Sequence, residues 1–458
     1  MYKPYIKPIT KVLPDVKVPG PRISMFVVLL TRLLGRLYLF LFFGVARIVW
    51  RGEKALFDAF KRALAGKSRC IIAFRHPNGG EPQLLAWSFL FKLRHFAARK
   101  GVRFVRWPHA IFVYGYEVVR YGGWPARFVM PNIGALPIHH SKIDREGMNM
   151  IYRAIIDGPY PLALSPEGQV SYTIDSVPRL EPGAIRIGFS AAERLKEKNA
   201  DIPVEILPVS VYFRFGVWGK GTMEMLLKKV EKYAGFSGPG RKKLPFVERV
   251  SQVRERILSL NEDRYKIKRD ASASFEERLE RVIYTALETA ERILGIKSEG
   301  DFFTRLYKIR HDCWDRIFLP GVDSLAHLTR LERSTRDLRA GEGWFAARHQ
   351  ELADFGWYFR RAIPTEEAAL HTRIEYIQNL WDFANRTMGG AFSNRINIIP
   401  RRVIIHASPS INLSERLPAY KADKKAAIAT AMSDLEKAYI DCIAEASEPD
   451  LQEKKPTG

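Results

Sequence analysis

Cysteine is scarce in this sequence: Cys70, Cys313 and Cys442 are the three cysteines among 458 residues. Their odd number and wide spacing exclude a disulfide framework and indicate a reducing compartment. No cysteine and histidine spacing typical of a zinc site is present, and no internal repeat or low-complexity segment appears. We therefore expect no metal and no resident cofactor.

Acidic residues are also few, because 50 Asp and Glu face 73 Lys and Arg and leave a net charge of +23. Such an excess calls for a polyanionic partner, which is nucleic acid, an anionic membrane face or an acidic substrate. The sequence has no zinc-ligand spacing, arginine-rich tail or RNA-binding signature. We therefore expect no nucleic acid partner and favour an anionic membrane surface and its lipids.

The N-terminal region lacks a charge-free apolar run long enough to span a bilayer. Residues 1–23 form a basic, proline-containing arm. Residues 24–50 form an apolar run whose longest charge-free part, 37–46, has ten residues against the roughly 20 that a span needs. At about 100° per residue, the arginines of this region fall within one helical stripe: Arg32, Arg36, Arg47 and Arg51. This pattern favours a helix in the membrane surface, with its arginines toward anionic headgroups.

Two other interpretations of residues 24–50 stay open, a buried helix of a soluble core and a spanning helix. A cleaved signal peptide is not expected, because the basic region is long and no small-x-small site follows it. Combined with the reducing compartment, the interfacial helix predicts a peripheral, monotopic protein on the cytoplasmic face of a membrane.

A short apolar segment, 70–74, is typical of a buried strand, and the turn after it, His76–Gly80, carries one proline and two glycines. Glu81 follows the turn, and Pro82 suits the first turn of a helix. A turn this tight can fold the Glu81 carboxylate back onto His76. A carboxylate bonded to one ring nitrogen fixes the tautomer and leaves the other nitrogen as a base. The alternative is a surface histidine in a turn.

A second apolar segment, 161–164, also ends in a turn, which contains Glu167 and Gly168. Together the two stretches resemble the glycerolipid acyltransferase family, whose lysophosphatidate acyltransferases carry a His-x4-Asp motif and a Pro-Glu-Gly motif. Gly134–Ile138 and Ile206–Val209 resemble the second and fourth blocks of that family. The resemblance covers roughly residues 25–215, and the last sixty residues are similar to the end of the family's domain.

The resemblance implies a mixed α/β sheet flanked by helices. It also implies transfer of a fatty acyl group from a coenzyme A or acyl carrier protein thioester to a hydroxyl of a lysophospholipid or glycerol phosphate. His76 takes the place of the family's general base, and Glu81 replaces the aspartate that orients it. Turn amides near Gly79, Gly80 and Gly168 are candidate donors to the oxyanion of the reaction.

Phosphate recognition departs from the family pattern. The family's arginine after the second block falls near His140, and its Thr-Arg pair after Glu-Gly is replaced by Gln169 and Val170. Cations beside the base neutralise a phosphate, although solvated surface cations are the alternative for each one. The predicted substrate-binding residues are Arg75, Asn78, Gly79, Gly80, His140, Lys142, Arg145, Glu167, Gly168 and Gln169. A sugar, amino-lipid or lysophospholipid acceptor stays open.

The length exceeds what one hydrophobic core holds, so we expect more than one structural unit. We divide the chain into a basic arm and membrane helix (1–53), an α/β core (54–216), a helical insertion (217–395) and a returning strand and helix (396–458). Within the insertion, Ser274 and Glu277 predict a helix start, and Gly295 predicts its end. Other helices are predicted at 246–260, 301–318, 322–338, 342–361 and 365–388.

A different class of function is consistent with the same residues. The replacement of Asp by Glu81 and the presence of Gln169 after Glu-Gly fit a non-catalytic lipid- or membrane-binding protein that keeps the fold. A turnover assay separates this alternative from the acyltransferase. Nucleic-acid binding driven by net charge is a third hypothesis, which a steep salt dependence of binding would reveal.

Overall fold

A computed structural model describes residues 7–16, 20–139, 144–215, 218–270, 272–390, 395–396 and 400–447, without the side chain of Tyr121. Contacts divide the chain into two compact units. Residues 20–139, 144–215 and 400–447 form the α/β unit, and the other described residues form the helical unit.

The strands are β1 (Leu13–Pro14), β2 (Val45–Arg51), β3 (Arg69–Phe74), β4 (Ile111–Gly115), β5 (Leu136–Ile138), β6 (Leu162–Leu164), β7 (Val204–Phe215), β8 (Phe318–Leu319), β9 (Arg401–Ala407) and β10 (Ile411–Asn412). The first eight α-helices are α1 (Met25–Phe43), α2 (Glu53–Leu64), α3 (Glu81–Ser88), α4 (Arg94–Arg99), α5 (Glu117–Tyr121), α6 (Gly123–Asn132), α7 (Arg145–Ile156) and α8 (Gly183–Glu197). The later ones are α9 (Gly219–Tyr233), α10 (Phe246–Tyr265), α11 (Phe275–Leu294), α12 (Phe302–Ile317), α13 (Arg330–Phe359), α14 (Leu370–Thr387), α15 (Leu417–Ala422) and α16 (Lys424–Ser447). A π-helical turn, Phe89–Leu93, joins α3 to α4, and a 3₁₀ turn, Pro239–Lys243, precedes α10.

The α/β unit is built on one mixed sheet with the strand order β2-β9-β7-β3-β6-β4-β5, and β10 pairs with β7. The strands β3, β4, β5, β6 and β7 run parallel to one another. By contrast, β9 runs antiparallel to β7, and β2 runs parallel to β9. The prediction of a mixed α/β sheet flanked by helices is thereby confirmed. The turns after β3 and β6, which are neighbours, lie at the same edge of the sheet.

The central strand β3 shows why helices cover both faces of the sheet. Its side chains alternate between the two faces, as in any strand. Ile72 and Phe74 belong to a core cluster with apolar residues of α2 and α3, whereas Ile71 and Ala73 belong to one with residues of α7, α8 and α16. A strand that is buried on both faces reads as a continuous apolar run, which is why the sequence predicted it.

The apolar N-terminal helix is shorter than predicted. α1 ends at Phe43, because Gly44 adopts the left-handed conformation with φ 62° and stops the helix. The chain then forms β2, which carries Arg47 and Arg51. The predicted helix over 24–50 and its stripe of four arginines are therefore wrong at the carboxyl end, since two of those arginines lie on a strand.

The exposed face of α1 is apolar rather than basic. Arg36 donates hydrogen bonds to the carbonyls of Val45 and Ala46, and Arg32 lies over the rings of Phe91 and Trp107. Both arginines thus contact the protein, in contrast to their predicted outward orientation. The large apolar side chains that α1 exposes are Met25, Phe26, Leu29, Leu30, Leu33, Leu34, Leu37, Tyr38, Phe40, Leu41 and Phe42. By length and composition alone, α1 could cross a membrane.

The helical unit packs α9 to α14 together and includes residues 7–16. β1 pairs with β8, and Asp337 of α13 accepts hydrogen bonds from Lys11 and from the Val12 amide. The predicted N-terminal segment 1–53 is therefore divided, because residues 7–16 belong to the helical unit and residues 20–51 to the α/β unit.

The helices of this unit follow the sequence signals in one place and depart from them in another. α11 begins with the predicted capping box of Ser274 and Glu277, and Gly295 ends it, so this prediction is confirmed. The separate helices predicted at 322–338 and 342–361 are one helix, α13. Gly343 lies inside this helix, and it allows close packing on α12: a Cβ there would lie 2.9 Å from the Cys313 carbonyl oxygen.

Candidate active site

The structure brings His76 and Glu81 together at the carboxyl edge of the sheet. β3 ends at Phe74, the turn His76–Gly80 reverses the chain, and Glu81 is the first residue of α3. Glu81 Oε2 lies 2.6 Å from His76 Nδ1 and accepts a 2.8 Å hydrogen bond from the Gly79 amide. The Glu81 side chain is fully buried, whereas the His76 side chain keeps 18% of its surface exposed.

This arrangement determines what the imidazole can do. With Glu81 as acceptor, Nδ1 carries the proton and Nε2 is an unprotonated base. His76 Nε2 has no hydrogen-bond partner among the residues that the structure describes. The ring is thus oriented by a buried carboxylate on one side and accessible on the other, which is the geometry of a general base.

The turn after β6 fixes the backbone of His76. Glu167 Oε2 accepts a 3.1 Å hydrogen bond from the His76 amide, and the Ser171 amide donates to the His76 carbonyl at 3.0 Å. Glu167 is buried, and burial raises the pKa of its carboxyl group. Glu167 was predicted to contact substrate, and the structure instead shows it supporting the His76 turn from within the protein.

Arg75 does not lie where a phosphate ligand would need it. Its side chain is fully buried, and Nε lies 3.2 Å from Glu167 Oε1. The other guanidinium nitrogens donate to the carbonyls of Ile174, Thr173 and Ser176 at 2.6 to 2.9 Å. The predicted phosphate contact is therefore corrected: Arg75 joins the strand end to the loop after Glu167, because its donors point into the protein.

Asn78 and Gly80 of the turn contact other parts of the unit. Asn78 Oδ1 accepts a 2.7 Å hydrogen bond from Arg401, the first residue of β9. Gly80 lies against the ring of Phe43, and a Cβ there would lie 2.6 Å from that ring. Sequence reasoning missed Arg401, although the arginine pair 401–402 at the start of an apolar strand marked the position.

The glycine amides differ in their availability as oxyanion donors. The Gly79 amide donates to Glu81, and the Gly168 amide donates to the Ser165 carbonyl at 3.3 Å. The Gly79 and Gly168 amides, both predicted as oxyanion donors, therefore already donate hydrogen bonds within their own turns. The Gly80 amide makes no hydrogen bond within the described parts of the chain, and it precedes α3, where a helix amino terminus favours negative charge.

The other predicted substrate-binding residues are Arg145, Gln169, His140 and Lys142. Arg145 is exposed as the first residue of α7, beyond β5, which is three strands away from β3 in the sheet order. Gln169 is half-buried beside Gly168. His140 and Lys142 lie outside the described residues.

Comparison with known proteins gives no assignment. No model of a known protein family matches the sequence, and no curated protein matches it significantly. A function is therefore proposed from the geometry of this site and from the motifs of the sequence.

Proposed function

We propose that this chain is a membrane-associated O-acyltransferase of the glycerolipid type. It would move a fatty acyl group from a coenzyme A or acyl carrier protein thioester to a hydroxyl of a lysophospholipid or glycerol phosphate. The observation that carries this proposal is the 2.6 Å contact between His76 Nδ1 and the fully buried Glu81 carboxylate. An alcohol is a poor nucleophile at neutral pH, and a pair of this kind supplies the aligned base that it needs.

The residues allow a balanced reaction without a covalent enzyme intermediate. His76 Nε2 accepts the proton of the acceptor hydroxyl while its oxygen bonds to the thioester carbonyl carbon. Glu81 stabilises the imidazolium that forms, and the Gly80 amide, which precedes α3 and makes no hydrogen bond within the described residues, would stabilise the oxyanion. The carbon–sulfur bond then breaks, and the proton passes from His76 to the leaving thiolate.

The placement of the four sequence blocks supports the resemblance to the glycerolipid acyltransferases. The His76 turn follows β3, Gly134–Ile138 leads into β5, and the Glu167 turn follows β6. The fourth block, Ile206–Val209, lies in β7 and pairs with β3 along Ile71–Phe74. All four blocks therefore lie on parallel strands of one sheet or in the turns next to them, and the turns after β3 and β6 lie at the same edge.

The exposed face of α1 supports a membrane location. α1 exposes apolar side chains along its length, and the sequence has no acidic residue between Asp15 and Glu53. A helix of this kind binds the interface of a bilayer with anionic lipids. The three cysteines are free and buried, which fits the reducing cytoplasmic side. We place the protein on that face, as a peripheral or monotopic enzyme whose lipid acceptor partitions into the same layer.

The test is turnover by the purified protein with acyl-coenzyme A and lysophosphatidate in mixed vesicles, followed by mass spectrometry of the lipid product. We expect His76→Ala and Glu81→Gln each to reduce the rate by about 10²–10⁴-fold. His95→Ala is the matched control, because His95 is an exposed histidine of α4 in the same unit. We expect that variant to keep the wild-type rate.

Two results would contradict the proposal. Full activity of His76→Ala would show that His76 is not the base. Binding of lipid by the wild-type protein without turnover on any lysolipid or glycerol phosphate acceptor would instead favour the non-catalytic membrane-binding alternative.

A further inference from the structure

One buried guanidinium connects the catalytic turn to the end of the apolar helix. Arg401 is 1% exposed. One of its terminal nitrogens donates to Asn78 Oδ1 at 2.7 Å, its Nε donates to the Phe43 carbonyl at 2.8 Å, and its other terminal nitrogen donates to the same carbonyl. A planar guanidinium suits this task, because its donors are held in a fixed fork and can serve two partners at once.

A second contact joins the same two elements. The Phe43 ring lies against Gly80, where a Cβ would come within 2.6 Å of the ring. Phe43 is the last residue of α1, so its carbonyl belongs to the negative end of the helix dipole, where a cation is stabilised. The catalytic turn is therefore attached to α1 at Asn78 through Arg401 and at Gly80 through the ring.

We infer that Arg401 is a positioning residue that holds the catalytic turn His76–Gly80 against the last turn of α1. We call Arg401, Asn78 and the Phe43 carbonyl the Arg401 clamp. This inference rests on the proposed function of the turn. The clamp joins the turn that carries the base to α1, the helix that we place at the lipid surface. It therefore sets the distance of His76 Nε2 from that surface, where the acceptor hydroxyl lies.

The experiment compares Arg401→Lys, Asn78→Ala and the double variant that combines these two changes, all in the full chain. Arg62→Gln is the matched control. Arg62 also pairs through its guanidinium, with Glu205 at 2.6 and 2.9 Å, but Glu205 lies opposite Cys70, at the other end of β3. Two quantities are measured: kcat and KM for acyl transfer, and amide hydrogen exchange of the peptide that contains residues 76–84.

We expect Asn78→Ala and Arg401→Lys each to lower kcat on the order of 10–100-fold, with little change in the KM for the acyl thioester. The double variant should be no slower than the slower single variant, because both remove the same interaction. Exchange of the Gly79 amide should become faster in each variant. Arg62→Gln should leave exchange in residues 76–84 and kcat as in the wild type.

Either of two results would overturn the clamp: wild-type exchange and kcat in Asn78→Ala, or losses in kcat that multiply in the double variant. The exchange measurement separates this inference from the proposed function. If the wild-type protein shows no turnover but exchange in the turn accelerates in both single variants, the clamp is correct and the acyltransferase assignment is not.

Discussion

At the scale of single residues, neighbours along the chain have opposite roles. Successive side chains of an extended segment point to opposite sides, so only one of Arg75 and His76 can face the site. His76 keeps access to solvent, while Arg75 is fully buried with Glu167. From residue type, both side chains are predicted to face the site, because residue type alone does not say which side of the strand end is the interior.

The residue-scale prediction compares two arginines that were both predicted from the sequence to bind the phosphate. Arg75→Gln should lower the free energy of unfolding by about 3–5 kcal/mol, because it leaves the Glu167 charge buried without its partner. Arg145→Gln should change it by less than about 0.5 kcal/mol, because Arg145 is exposed. Urea unfolding followed by circular dichroism measures both values.

The contrary outcome is also specific. If Arg75→Gln unfolds at the wild-type urea concentration but raises the KM for a phosphorylated acceptor, Arg75 contacts the phosphate after all, and the buried position described for it does not hold in solution.

Distance along the chain explains which site residues the sequence could predict. His76 and Glu81 are five positions apart and are joined by one turn, so local turn chemistry was enough to bring them together. Arg401 bonds Asn78 across 323 positions. No local pattern carries that information, because it depends on the order of strands in the sheet.

At the scale of elements, α1 shows how a periodicity argument fails at a boundary. The arginine stripe assumed 100° per residue through Arg51, but Gly44 ends the helix, and β2 follows with alternating rather than helical spacing. The Gly44 signal was present in the sequence as a possible helix stop. The orientation of the Arg32 and Arg36 side chains could not be predicted from the sequence, because it depends on carbonyls and aromatic rings of other segments.

The element-scale prediction concerns the exposed face of α1. Replacing Leu33, Leu37 and Leu41 together by Gln should reduce binding to vesicles that contain anionic lipid by about tenfold or more, because three apolar side chains no longer enter the interface. Sedimentation with vesicles measures the bound fraction. The control is Leu331→Gln with Leu338→Gln, two exposed leucines of α13 in the helical unit.

The control should bind as the wild type does. If the α1 variant also sediments as the wild-type protein does, or if both variants lose binding equally, α1 is not the element that contacts the membrane.

At the scale of the whole molecule, the helical unit is inserted between two strands that are neighbours in the sheet. β7 ends at Phe215 and β9 begins at Arg401, and these two residues pair directly in the antiparallel ladder. The change from alternating strands and helices to helices alone predicted an insertion over 217–395. The sequence did not reveal that the returning strand lies beside β7, because pairing between distant strands leaves no local signal.

This pairing leads to a prediction about a shortened chain. A protein that begins at residue 20 and replaces residues 216–400 by a short Asn-Gly turn should fold, because the turn would convert β7 and β9 into an ordinary hairpin. Far-ultraviolet circular dichroism should show mixed α/β content, and β3 amides should keep their protection from hydrogen exchange. A chain that aggregates or exchanges freely would show that the α/β unit requires the helical unit to fold.

The Arg401 clamp has a consequence for the order of events during translation. Phe43 and Arg401 are separated by 358 positions. At about 5–20 residues per second, a ribosome needs roughly 20–70 seconds to cover that distance. Through most of this interval the nascent chain already contains the apolar helix α1 and the His76–Gly80 turn, but not the strand β9 that supplies Arg401. The chain is therefore exposed to chaperones and to lipid before Arg401 is available to attach the turn to α1.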